Sequence, residues 1–144
     1  GSILGIGYTV EAGSTTVALS MDTYSKGTTD ATSIGAVVTA GDFVLTLASN
    51  NEEDTTAATA YDRTGDAMGV TYKVSETLSV QAYSGTTDDS KAASYKITDT
   101  GVGATYTITP GLTVSITNNS VEATTDAGTK TTADGTALAL NVTF

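Results

Sequence analysis

Gly101-Val102-Gly103-Ala104-Thr105-Tyr106-Thr107-Ile108-Thr109-Pro110-Gly111-Leu112-Thr113-Val114-Ser115-Ile116-Thr117-Asn118 alternates apolar and small polar residues on both sides of a Pro-Gly pair. A period of two marks a β-strand, because successive side chains point to opposite faces. Pro-Gly between two such runs places a tight hairpin turn. The stretch therefore reads as two antiparallel strands with one apolar and one small, polar face.

Working outward, the same pattern predicts nine strands, approximately Ile3 to Glu11, Thr15 to Thr23, Ser33 to Ala40, Phe43 to Ser49, Ala67 to Ser75, Leu78 to Ser84, Gly101 to Thr109, Leu112 to Asn118 and Thr136 to Phe144. Their connections alternate between two kinds. Ala12-Gly13-Ser14, Gly41-Asp42, Glu76-Thr77 and Pro110-Gly111 are tight turns. Residues 24–32, 50–66, 85–100 and 119–135 are long polar links rich in Thr, Ser, Asp and Gly. The expectation is an all-β, antiparallel up-and-down meander over 1–144, a single segment with short turns at one end and long loops at the other. Transmembrane barrels show that asymmetry.

Every second residue builds an apolar face: Leu4, Ile6, Tyr8, Val10; Val17, Leu19, Met21; Phe43, Leu45, Leu47; and so on to Leu138, Leu140, Val142, Phe144, with no charge among them. The opposite face is mostly Thr, Ser, Gly and Ala. A face in contact with lipid excludes Lys and Arg, each costing about 2–4 kcal/mol at the bilayer midplane. Tyr8, Tyr72 and Tyr106 each precede a short turn on the apolar face, and Phe43 follows one, which reads as an aromatic girdle at an interface. Tyr24 and Tyr83 fall off the alternation near the other end. The competing architecture is a soluble Thr-rich β-sandwich, a secreted or surface adhesin-like structural module, since alternation alone serves both.

Composition narrows function. The chain has no His, Cys or Trp, one Arg (Arg63) and one Pro (Pro110). Without Cys or His there is no disulfide, thiolate, structural zinc or commonest general base, and no nucleophile and base pair can be named, so no enzyme and no cofactor is expected. Six basic against 16 acidic residues, net −10, oppose nucleic acid as a partner. Glu52, Glu53, Asp54, Asp88 and Asp89 are weak candidates for cation ligands, with solvated loop charge the simpler reading. Lys73 is the one clear basic residue assigned to the polar face.

The final segment, Ala137-Leu138-Ala139-Leu140-Asn141-Val142-Thr143-Phe144, resembles the terminal strand of bacterial outer-membrane barrels. There the terminal aromatic and the alternating apolar residues, here Leu138, Leu140, Val142 and Phe144, form the signal read by the barrel-assembly machinery. The Gly103-Ala104-Thr105-Tyr106 and Met68-Gly69-Val70-Thr71-Tyr72 phrases, with acidic Thr/Asp-rich loops, resemble general porins of α-proteobacterial type. That resemblance implies a sixteen-stranded barrel in the outer membrane and passive diffusion of small hydrophilic solutes and ions. It also implies a homotrimer among lipid and lipopolysaccharide. Single-chain bacterial barrels have an even strand count, so nine strands imply that preceding strands are deleted, not resolved or on another chain, this being the C-terminal portion. An eight-stranded closed barrel is the next architecture if one strand is miscounted.

Overall fold

The computed structural model describes residues 1–56, 60–90 and 95–143. Nine strands form one sheet in chain order: β1 (Ser2–Ala12), β2 (Thr15–Lys26), β3 (Thr29–Ala40), β4 (Phe43–Asp54), β5 (Tyr61–Lys73), β6 (Leu78–Asp89), β7 (Tyr95–Thr109), β8 (Leu112–Thr125) and β9 (Lys130–Val142). Each pairs antiparallel with its sequence neighbours, and only β7 and β8 show a register shift, between Thr107 and Thr109. There is no second layer and no pairing of β9 with β1, so among the described residues neither the sandwich nor the eight-stranded closed barrel is formed. Being odd-numbered, β1 and β9 run in the same direction and cannot pair antiparallel with each other.

The strands run well past the expected boundaries. The links at 24–32, 50–66, 85–100 and 119–135 are mostly ladder, reduced to Gly27-Thr28 between β2 and β3 and to short tips elsewhere. The physical reason is local. Toward these tips both faces turn polar, so alternation disappears, while Thr-rich chain keeps its preference for extended backbone and the hydrogen bonds continue.

Three tight turns lie where the sequence put them, two of them explained by glycines, while the turn expected at Glu76-Thr77 widens to residues 74–77 because β5 ends at Lys73. Gly41 and Gly111 have φ of +59° and +85°, a left-handed region that other residues enter at a cost. Gly111 follows Pro110 and is also crowded, since a Cβ there would fall 2.7 Å from the Thr143 carbonyl oxygen. The β5–β6 connection instead uses Ser75, whose Oγ accepts from the Thr77 and Leu78 amides at 3.2 and 3.1 Å.

No hydrophobic side chain among the described residues is buried. A soluble domain of this length hides a core; this sheet leaves its apolar rows uncovered, with Leu4 at 71% and Leu138 at 74% exposure on the two edge strands.

Gly111→Ala should destabilise the sheet more than Gly41→Ala. The backbone term alone is about 1–2 kcal/mol at each, and only Gly111 adds the clash with Thr143. Urea unfolding of the two variants, refolded side by side in detergent, measures the order.

Candidate functional site

The hydrogen-bonded register sorts every strand residue onto one of two faces. On the apolar face, the last apolar residue toward the long-hairpin end is Leu4 in β1, then Met21 paired with Ile34, Leu47 with Met68, Ala82 with Val102, and Ile116 with Leu138. One position beyond, each of β2 to β9 turns polar: Thr23, Thr32, Ser49, Asp66, Ser84, Thr100, Asn118 and Thr136. Between successive pairs the edge steps by two residues, because Leu4 pairs with Thr23, Ile34 with Ser49, Met68 with Ser84 and Val102 with Asn118. The apolar edge is thus a straight diagonal, drifting one residue per strand from β1 to β9.

A diagonal in the sheet is a level line on a tilted wall. One residue of about 3.3 Å against a strand spacing of about 4.8 Å corresponds to a tilt of roughly 35°, and strands of transmembrane barrels tilt by about 35–45°. The aromatic residues follow the same line. Tyr72 lies in the hydrogen-bonded row that reaches β1 at Ala12, four residues beyond Tyr8 across four strand steps, and Tyr106 lies two residues further across two more. Phe43 pairs with Tyr72, their rings stacked with centroids 4.4 Å apart. Leu138, Leu140 and Val142 alternate on this face of β9; Phe144 lies outside the described residues.

The other face carries all nine strand glycines and, among the described residues, no aromatic ring at the height of the apolar band except Tyr83. Small residues on one face relieve crowding there and let a sheet curl toward that side. Lys73 is on this face near the short turns, where its Nζ donates to Glu76 Oε1 at 2.9 Å. It is not the sole basic residue there. The longer strands add Lys26 and Arg63, and with them Glu52, Asp54, Asp89 and Asp99, while Asp22 lies on this face within the expected span of β2. Continuing the alternation of β5 backward from Lys73 reaches Arg63, a signal that the polar flanks had masked.

The structure divides the acidic loop candidates between the two faces. Glu52, Asp54 and Asp89 fall on the polar face, Glu53 and Asp88 on the other. Among the described residues no three acidic groups come together as a metal site. Those on the polar face are engaged with neighbours. The Tyr61 hydroxyl donates to Glu52 Oε1 at 2.7 Å, Arg63 Nε donates to Asp89 Oδ2 at 2.9 Å, and the Arg63 guanidinium lies 4.4 Å from the Tyr61 ring centroid. At the β4 tip, beyond the apolar band, donors from Thr56, Thr28 and Thr29 surround Asp54, and the Thr56 donors chiefly hold its carboxyl below the ordinary 3.8.

No protein-family model and no curated protein sequence matches the chain. Among solved structures it is similar to in-vitro folded OmpT, an outer membrane protein of Vibrio cholerae, with a TM-score of 0.70 at 12% identity over 97% of this chain and 55% of that one. It is also similar to the loop L8 deletion mutant of OmpT from the same organism, with a TM-score of 0.66 at 15% identity, covering 93% and 52%. The chain therefore spans about half the length of these proteins. At such identity the likeness concerns the fold: nine antiparallel meander strands as part of an outer-membrane type β-barrel.

Two outcomes follow. Leu45→Arg, on the apolar face in mid-band, should destabilise the protein in lipid vesicles by about 2–4 kcal/mol, and its neighbour Thr46→Arg, on the polar face, by less than about 1, as read from urea unfolding. Because the folded Asp54 carboxyl titrates below its unfolded value, its ties to the tip are complete above pH 3.8 and lost as pH falls through the lower folded value. Hydrogen exchange at the Thr56 amide, corrected for intrinsic rate, should lose protection only in that acid range and should already be weak in Asp54→Asn.

Proposed function

We propose that this chain forms part of the wall of an outer-membrane porin, a water-filled channel for passive diffusion of small hydrophilic solutes and ions. The observation that carries the reading is the straight apolar edge. Nine strands stop being apolar along one line, parallel to the line of Tyr8, Tyr72 and Tyr106. A planar hydrophobic slab imposes such a boundary on a tilted wall, because each strand must leave the hydrocarbon at the same depth. A protein partner has no reason to end flat.

In this reading the apolar face meets lipid, and the other face, mostly Thr, Ser, Ala and Gly, meets water. Glycine and short hydroxyl side chains leave the bore open and accept solvent without a fixed charge in most rows. The hairpins beyond the apolar edge stand in the aqueous phase outside, where both faces can be polar, as in Asp30, Glu53, Asp62 and Asp88 on the outward side and Glu52, Asp54 and Asp89 on the inner. The short turns stand on the periplasmic side. Further antiparallel strands close the wall between the edges of β9 and β1, since an unpaired edge in lipid costs several kcal/mol for each exposed backbone group. The reading includes no catalysis, and it places lipopolysaccharide, the barrel-assembly machinery and sister subunits of a trimer as the partners.

The test uses the whole protein that carries this chain, extracted from outer membranes in detergent. A compact electrophoretic band that shifts on boiling, together with stepwise ion conductance in planar lipid bilayers, is the expected result. A folded β-protein that stays monodisperse in plain buffer and produces no conductance overturns the proposal.

A further inference from the structure

Tyr83 stands in β6 between two glycines, with Gly69 of β5 and Gly101 of β7 as its register partners. Its ring does not project from the sheet. A Cβ placed on Gly101 would fall within 2.7 Å of the ring's Cζ and hydroxyl, so the ring lies flat across the Gly101 backbone. In a sheet with no second layer, Tyr83 is nevertheless only partly exposed, unlike Tyr8 at 67% and Phe43 at 54% on the other face. Its Cβ also sits 3.8 Å from the position a Cβ would take on Gly69, so the strand on either side has been kept bare around this one ring. Neighbouring polar-face glycines are overlaid by small polar groups instead, as Ser20 overlies Gly35 and Asn119 overlies Gly135.

We infer that Tyr83, held flat by Gly101, is a residue that determines the bore of the channel and hence the size of solute it passes. The inference rests on the channel reading above and adds the side chain that sets its limit. Tyr83 is the one aromatic side chain on the polar face at the height of the apolar band among the described residues. Flat, it thickens the wall by a single ring. Any side chain at position 101 removes its seat, and the displaced ring must leave the Gly101 backbone for another staggered rotamer. Pairing an aromatic with a cross-strand glycine also covers the bare backbone and holds register. The ring's posture therefore joins wall stability to pore width in one contact.

Four forms of the whole protein test this in planar bilayers: wild type, Gly101→Ala, Tyr83→Ala and the double variant. Single-channel conductance and the largest polyethylene glycol that enters the pore are the readouts. Gly101→Ala should lower conductance and reduce the admitted polymer size. Tyr83→Ala should raise both slightly, and the double variant should match Tyr83→Ala, because the glycine matters only through the ring. Tyr83→Ala leaves the glycine untouched, so the inference stays testable if Gly101→Ala fails to give the heat-shifted band. Conductance that is unchanged in both single variants, or a double variant as narrow as Gly101→Ala, overturns the inference and leaves the channel reading in place. A wild-type protein without conductance removes both.

Discussion

The continuous antiparallel hydrogen-bond ladder from β1 to β9 holds this structure, because the described residues form no buried core. In a soluble sheet the ladder shares the load with packed side chains; here each strand is fixed only by the strands it pairs with, two for β2 to β8 and one for β1 and β9. Such an arrangement is stable where water cannot compete for backbone groups and where the apolar face meets hydrocarbon. The register within the ladder then acquires unusual weight. A slip of one residue between any two strands would turn one apolar row inward and set a polar row against lipid.

That register also converts a two-dimensional pattern into a plane. The apolar edge and the aromatic line drift together by one residue per strand, and the strand tilt levels both. Everything on the long-hairpin side of the edge obeys different rules. There Asp, Glu and Lys occupy both faces, and stability comes from side-chain ties across the ladder: Arg63 with Asp89, Tyr61 with Glu52, Lys130 with Glu122, and the threonines around Asp54. The exposed ties among these contribute little each, whereas Asp89 is buried where it meets Arg63.

The polar face solves a separate problem, which is to line a space without filling it. Its glycines remove side chains where strands must curl, and the register partner lays a polar or aromatic group over several of the bare backbones that result. Tyr83 over Gly101 is the largest instance. The same contact covers the bare Gly101 backbone and keeps the ring against the wall.

The sequence by itself determined the strand count, the chain-order meander, the two faces and the tight turns, because a period of two and Gly or Pro at a turn are local signals that need no partner. Phe43, Tyr72 and the alternating residues of β9 could be placed on their face for the same reason. Where both faces are polar the period vanishes, so the ladder through Asp54, Asp89 and Thr125 carries no strand signal, and Arg63 and Lys26 cannot be recognised as wall residues. Only the tertiary structure decided how far each strand is displaced against its neighbour. That displacement lies in pairings between residues distant in sequence, and it made a level edge of nine separate apolar runs and laid Tyr83 on Gly101.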